Sequence, residues 1–173
     1  MKKEILAYMA GIIDGEGCLS ISKQIRKDRR SPSYRISITV SNTDKRIVDL
    51  FFDYYKGTVY QRPDGRKDKN WADSYTWYCK HSVSVKFLTD IMPYLLIKKE
   101  QAKKLILFQT NQTKYVRKSL GVGRGSAPLS QKEIDDKEKQ YLYVKSLNKK
   151  GLYSRSLTNL TREEVTNATE KIL

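Results

Sequence analysis

The sequence is poor in the side chains that most proteins use for zinc sites and disulfides. It contains one histidine, His81, and two cysteines, Cys18 and Cys79, among 173 residues. One histidine excludes most zinc sites and any catalytic site built on paired histidines. The two cysteines could form one bridge, but nothing else points to secretion, so we interpret both as reduced thiols. This usage predicts an intracellular protein, and the sequence does not distinguish the cytoplasm of a prokaryote from an organelle matrix or stroma.

Acidic residues and long apolar runs are also scarce. Lys and Arg number 34 against 19 Asp and Glu, which gives a net charge of +15 and a pI of about 9.7. Such an excess predicts a polyanion partner. No run of 18 apolar residues and no long basic amphipathic helix stands out, so nucleic acid fits better than a membrane. The 39% of hydrophobic residues and the 12 Tyr suffice for one folded domain.

Residues 4 to 17 have the pattern of an amphipathic helix that ends in glycines. Apolar residues recur there at offsets of three and four. Gly15 and Gly17 are predicted to end the helix because glycine accepts the backbone angles found at helix ends. Glu16 then lies at the negative end of the helix dipole, a costly position that points to a function. The alternative is an ordinary helix that packs, stops on glycine and carries a solvated carboxylate.

The order of residues within this stretch is informative. Residues 9 to 17, Met-Ala-Gly-Ile-Ile-Asp-Gly-Glu-Gly, resemble the signature of the LAGLIDADG homing endonucleases, and the strand-like residues 18 to 22 are similar to the strand after the signature helix in that family. The conservative changes within the motif fall at Met9, Ile12, Gly15 and Glu16. The resemblance implies a site-specific DNA endonuclease that promotes the mobility of a host intron or intein.

Alternating polar and apolar side chains after the motif predict a sheet with one polar face. The alternation covers residues 19 to 25 and 34 to 40, and later strands are expected at 58–62 and 74–80. Strands without a helix between them are expected to pair as antiparallel hairpins. The predicted fold is therefore α+β: an αββαββα core with one four-stranded antiparallel sheet, helices on one face and extra C-terminal helices. The resemblance implies that the sheet is saddle-shaped.

Three segments are predicted along the chain. Residues 1–113 form the core, whose later helices are expected at 45–55, 81–92 and 97–112. Residues 114–129 are a basic, Gly-rich linker, and 130–173 are a helical extension packed on the same domain. Ser130 and Glu133 have the spacing of a capping box for the first helix of that extension, and Thr161 and Glu164 repeat it for a last short helix.

The polar sheet face predicts the DNA contacts, although an ordinary half-solvated sheet would show the same pattern. An arginine can bond O6 and N7 of guanine together, whereas loop charges position a duplex through its phosphates. The predicted base-reading arginines are Arg26, Arg35 and Arg62. The predicted phosphate contacts are Arg29, Arg30, Arg66 and Lys67. The other predicted contacts are Ser20, Ser22, Gln24, Ser37, Thr39, Tyr60, Tyr75 and Trp77.

The resemblance also implies a catalytic metal site. By that comparison Glu16 is the metal-binding acid, and the carbonyl of Gly15 is a further ligand. Mg²⁺ is the expected cation, because phosphodiester hydrolysis needs hard oxygen ligands around the metal. The family's water-positioning residue, often Gln, is replaced here by Ser41 or Asn42, so the residue that positions the water stays open.

Two lysines occupy places at which the family has basic residues. Lys98 takes the place of the active-site lysine, and Lys45 lines up with a basic residue of the outer pocket. Lys98 and Lys99 also come near a helix N-terminus, where a cation opposes the dipole, and phosphate neutralisation would explain them. The alternative is that these lysines are simply solvated.

One motif carboxylate per chain is too few for a magnesium site, which predicts a homodimer. A two-fold contact through the helix face with Ala7, Ala10, Gly11 and Asp14 would bring two copies of Glu16 together over double-stranded DNA. The target should then be a long, imperfect palindrome. Neither a small-molecule cofactor nor a membrane partner is expected. Two other functions fit the same fold: an RNA maturase that assists splicing of its host intron, and a DNA-binding regulator that no longer cleaves.

Overall fold

A computed structural model describes residues 2–26, 31–63, 72–113 and 128–148. Its order of elements confirms the predicted α+β fold with an αββαββα core and further helices after it. The predicted short helix at the C-terminus and most of the predicted linker lie outside the described residues. The elements are α1 Lys3–Glu16, β1 Gly17–Gln24, β2 Ser33–Asn42, α2 Lys45–Tyr55, β3 Thr58–Arg62, β4 Ser74–Tyr78, α3 Ser84–Ile91, α4 Lys99–Thr113 and α5 Gln131–Leu147.

The four strands form one antiparallel sheet in the order β1-β2-β4-β3. β1 and β2 pair along the whole of β1, from Gly17 opposite Val40 to Gln24 opposite Ser33. β4 pairs with β2 on one side and with β3 on the other. The second hairpin therefore joins the first through β4, which leaves β1 and β3 at the two edges.

The helices cover one face of this sheet, and aromatic side chains fill the space between. The ring centroid of Trp77 lies 5.1 Å from that of Phe51 and 5.3 Å from that of Phe87. Its indole N–H donates a hydrogen bond of 2.6 Å to the carbonyl of Lys56, the polar partner that a buried tryptophan needs. Trp77 was predicted to contact DNA, and this prediction is wrong because the side chain is fully buried in the core.

The helix α5 lies against β1 and α4. It begins with the predicted capping box: the Ser130 hydroxyl accepts the N–H of Glu133 at 3.3 Å, and the Glu133 carboxylate accepts the N–H of Ser130 at 2.9 Å. After its last turn, the side-chain amide of Asn148 donates to the carbonyl of Leu19 at 2.8 Å. α5 thus contacts β1 on the face of the sheet that the helices cover. None of the helices in the described part of the chain is long and apolar enough to cross a membrane.

Candidate functional site

The face of the sheet that the helices leave open, here called the free face, is polar. It consists of the alternate strand residues whose neighbours are buried: Ser20 pairs with Ser37, and Ser22 pairs with Arg35. Arg35 and Arg62 are its two arginines, and the four strands contain no Asp or Glu. A surface with hydroxyls, guanidinium groups and no carboxylate suits hydrogen bonding to bases without repelling phosphates.

Alternation along β4 corrects the predicted aromatic contacts. Tyr75, like Trp77, belongs to the covered face and packs against the core. Thr76 and Tyr78 occupy the free face instead: Tyr78 is 41% exposed, and its ring meets that of Tyr60 edge-on at 5.4 Å. The signal was available in the sequence, because a large apolar side chain such as Trp77 implies that its two neighbours point the other way.

The predicted charged contacts outside the strands fall into two groups. Arg26 comes after β1 and is exposed, as is Gln24 at the end of that strand. The predicted phosphate contacts Arg29, Arg30, Arg66 and Lys67 lie outside the described residues.

At one end of the free face, α1 passes directly into β1. The helix ends at Glu16, and Gly17 is already extended, with φ −74° and ψ 150°. A Cβ on Gly17 would lie 2.8 Å from the Cα atom and the carbonyl oxygen of Ile13. Position 17 therefore requires glycine because the backbone of the helix passes so close to it. The prediction that Gly17 adopts backbone angles that favour glycine is wrong. Gly15 lies within the helix.

The ammonium group of Lys98 lies against the C-terminal end of α1. Its Nζ donates to the carbonyls of Ile13 at 2.7 Å, Asp14 at 2.9 Å and Gly17 at 2.7 Å. These bonds use all three N–H donors, at the helix end where the dipole favours a cation. For Lys98 the predicted conflict with the dipole of the following helix does not arise, because its ammonium caps α1; Lys99 is the first residue of α4.

Asp14 holds Lys98 in this place. Its carboxylate accepts the backbone N–H groups of Leu96 at 2.8 Å, Ile97 at 3.2 Å and Lys98 at 2.8 Å. Burial lowers the pKa of Lys98 below its usual value, while the Asp14 carboxylate opposes that shift. Asp14 was predicted to contact a second chain, and in this structure its carboxylate fastens the segment before α4 to α1.

Beside Lys98, the Glu16 carboxylate is exposed and accepts a hydrogen bond from the side-chain amide of Asn42. The amide oxygen of Asn42 in turn accepts the N–H of Asp44 at 2.7 Å, which fixes the orientation of the amide. The hydroxyl of Ser41 lies 2.8 Å from that of Thr76. Of the two candidates for positioning water, Asn42 is thus the one that contacts the acidic residue.

Lys45 lies at the start of α2 in a surface ion pair. Its Nζ is 2.6 and 2.7 Å from the carboxylate oxygens of Asp49, and both side chains are well exposed. The structure therefore gathers Glu16, Asn42 and Lys98 around the α1–β1 junction, and it places Lys45 in a pair of the kind that contributes little to stability.

The donor atoms at the junction fit one part of a magnesium site. Glu16 offers a hard, exposed carboxylate oxygen, but within the ranges that the structure describes no three His, Cys, Asp or Glu side chains lie close enough to hold a metal. Mg²⁺ keeps several waters and is often held by one or two carboxylates together with phosphate oxygens. The described residues at this junction can therefore supply a share of the ligands of such a site.

The predicted dimer face of α1 divides into open and closed positions. Ala7 and Gly11 are exposed, and a Cβ built on Gly11 or Gly15 meets no atom within 4 Å. Ala10 is fully buried, so its assignment to an interface is wrong. It lies on the covered side of the helix, next to Met9 in the core.

Comparison with known proteins identifies the fold. No family profile matches the chain, and no curated protein matches it in sequence. An archaeal intron-encoded homing endonuclease, I-Vdi141I, solved with DNA, matches 96% of this chain and 94% of its own at 13% identity and a TM-score of 0.62. The homing endonuclease I-CvuI, solved with its target in the presence of Ca, matches 98% and 94% at 20% identity and a TM-score of 0.61. The homing endonuclease I-TnaI matches 100% and 99% at 12% identity and a TM-score of 0.51. The chain therefore has the fold of the LAGLIDADG homing endonucleases.

Proposed function

We propose that this chain is a member of the LAGLIDADG family and acts as a site-specific DNA endonuclease. In this proposal it is a homodimer that makes a Mg²⁺-dependent double-strand break in a long, pseudo-palindromic target. The position of Glu16 carries the proposal: this exposed carboxylate lies where α1 passes into β1, at one end of a polar sheet face without acidic residues. The net charge of +15 and the DNA complexes of I-Vdi141I and I-CvuI support DNA as the partner.

The free face is proposed to read the bases. Arg35 and Arg62 project from β2 and β3, and Arg26 extends the line beyond β1, so guanidinium groups are distributed along the surface. Each good bidentate contact to a guanine contributes about 1–3 kcal/mol of discrimination. The hydroxyls of Ser20, Ser22, Ser37 and Thr39 can donate or accept, and they therefore adapt to different base edges.

Glu16 is proposed to bind the metal, with the Gly15 carbonyl as a further ligand. Bound Mg²⁺ would polarise the scissile phosphate and lower the pKa of a coordinated water. Asn42 holds the Glu16 carboxylate in one orientation before DNA arrives. Lys98 acts through its charge, because its three donors are already bonded to backbone carbonyls. Lys45 can exchange its weak surface pair for a phosphate.

A single carboxylate per chain supports the dimer. A two-fold contact through Ala7 and Gly11, where α1 is open to approach, would place two copies of Glu16 at the symmetry axis. Each copy would serve one strand. Scission of both strands at an uninterrupted allele would then allow the host element to spread. I-Vdi141I is intron-encoded, and we propose an intron or an intein as the host of this chain.

Cleavage of a library of long duplexes by wild type and by Glu16→Gln tests the proposal. We expect linear products from wild type with Mg²⁺, none with EDTA, and a mass by light scattering of twice the chain mass of 20.1 kDa. Glu16→Gln should cleave more than about 100-fold more slowly and still bind, since even the outer partners of metal ligands contribute 10- to 100-fold. Glu4→Gln is the matched control, because it removes an exposed carboxylate from the other end of α1.

Two other outcomes would replace the proposal. Tight RNA binding with rescue of splicing, unaffected by Glu16→Gln, would identify a maturase. Duplex binding without scission by either form would identify a regulator.

A further inference from the structure

One carboxylate of α5 bonds to both strands of the first hairpin. Lys23 of β1 and Tyr34 of β2 are opposite each other in the register, on the covered face. The carboxylate of Glu138 lies 2.7 Å from the Lys23 ammonium, and it also accepts the hydroxyl hydrogen of Tyr34. These three residues are here called the Glu138 clamp. It fastens the half of the hairpin that lies farther from Glu16.

Aromatic packing surrounds the clamp. Tyr34 is only 5% exposed, and its ring centroid lies 6.3 Å from that of Tyr141 on α5. The Lys23 ammonium lies 5.8 Å from the first ring centroid and 6.0 Å from the second, within the range of a cation–π contact. Gln112 of α4 donates to the Tyr34 carbonyl at 3.3 Å. The hydrogen bonds from Lys23 and Tyr34 lower the pKa of Glu138, which keeps it ionised.

The clamp residues alternate with residues of the free face. Ser22 and Gln24 flank Lys23, while Ser33 and Arg35 flank Tyr34, and these flanking residues pair across the hairpin. A shift of the backbone at Lys23 or Tyr34 therefore moves the side chains on the other face. Lys23 also lies about 20 Å along β1 from Gly17, at the usual rise per residue. A change at the clamp can thus reach the recognition surface without reaching the metal-binding carboxylate.

We infer that Glu138 is a positioning residue for sequence recognition. It fixes the curvature of the outer half of the hairpin, so that Ser22, Gln24 and Arg35 meet the base pairs far from the cleavage positions. This inference rests on the proposed function, and it assigns to α5 a part in choosing the target. Glu138 does not touch the DNA and takes no part in the chemistry.

The test compares wild type, Glu138→Gln and Asp53→Asn on duplexes that carry single base-pair changes along the target found with wild type. Asp53→Asn is the matched control, because it removes the same charge from an exposed position of another helix, α2. Binding is measured without divalent cation, and single-turnover cleavage is measured with Mg²⁺ at saturating enzyme. Glu138→Gln should lose about tenfold in discrimination at the outer base pairs, which corresponds to part of one good base contact. Its discrimination at the inner base pairs and its cleavage rate on the best duplex should match those of the control.

A charge-reversed pair provides the rescue. Lys23→Glu and Glu138→Lys should each lower discrimination at the outer base pairs. The double variant should recover part of it, because the ion pair forms again with the charges exchanged, while the acceptor of the Tyr34 hydroxyl and the ammonium beside the tyrosine rings are exchanged as well. The inference would be overturned if Glu138→Gln discriminated at the outer base pairs as well as wild type does. It would also be overturned if Glu138→Gln lost discrimination equally at all base pairs. A wild type that binds but does not cleave would refute the proposed function, and the binding profiles would still decide the role of Glu138.

Discussion

Trp77 and Tyr78 are neighbours on β4, yet the first is fully buried and the second is 41% exposed. Side chains of the covered face pack against aromatic rings and form the indole hydrogen bond and the Glu138 clamp. Each of them is therefore held by several contacts within the chain. The free face carries hydroxyls and arginines whose contacts within the chain are few, such as the 3.3 Å bond from the Ser22 hydroxyl to the Arg35 carbonyl. The position of a residue in the alternation, more than its type, therefore decides whether it stabilises the fold or is available to a ligand.

The largest difference between the faces should appear with Trp77→Ala. Removing this buried ring should lower the free energy of unfolding by about 3–5 kcal/mol, because it leaves a cavity among packed aromatic rings. Tyr78→Ala, on the other face, should cost no more than about 1 kcal/mol. Chemical denaturation measures both. If Trp77→Ala kept its stability and bound duplex DNA more weakly, Trp77 would contact DNA as first predicted.

A smaller effect is expected at Lys98, beside the α1–β1 junction. Lys98→Met removes three charge-assisted hydrogen bonds from the C-terminus of α1, and it should lower the free energy of unfolding by about 2–3 kcal/mol. Lys99→Met removes the same charge from the next, exposed residue and should change stability by less than about 0.5 kcal/mol. Denaturation and cleavage are measured together. Equal stability of the two variants would contradict a capping role for Lys98.

The smallest effect on stability is expected on the free face. Arg35→Ala should change the free energy of unfolding by no more than about 0.5 kcal/mol. It should also remove about 1–3 kcal/mol of discrimination at one base pair in each half of the target. Arg46→Ala, an exposed arginine of α2, is the control and should leave discrimination as in wild type. A uniform loss of affinity across all duplexes would show that Arg35 contacts phosphate instead of a base.

Local patterns were sufficient to predict much of the fold. Spacing of three and four identified the core helices, and alternation identified both the strands and the polar face. The motif with Glu16 identified the α1–β1 junction, because its residues are consecutive in the chain. Trp77 was misplaced because aromatic content was weighed without the alternation that already applied to β4.

Contacts between distant parts of the chain could not be predicted in this way. The Lys98 ammonium bonds to carbonyls more than 80 residues earlier, and Glu138 bonds to Tyr34 across 104 residues. No pattern of spacing indicates which carbonyl or hydroxyl a long side chain will find. The reason for glycine at position 17 could not be predicted either. Its close contact with Ile13 depends on the path of the backbone between the two residues and not on the angles of Gly17 itself.

The strict alternation along β2 also limits how this protein can change over evolutionary time. Replacing Arg35 or Ser37 alters one outward side chain and leaves its inward neighbours in place. Under the proposed function, single codon substitutions could therefore change the target preference. Inserting or deleting one residue in the strand would instead turn Ile36 and Ile38 outward and Arg35 inward. Lineages of this chain should therefore differ in β2 by residue type while keeping the length of the strand.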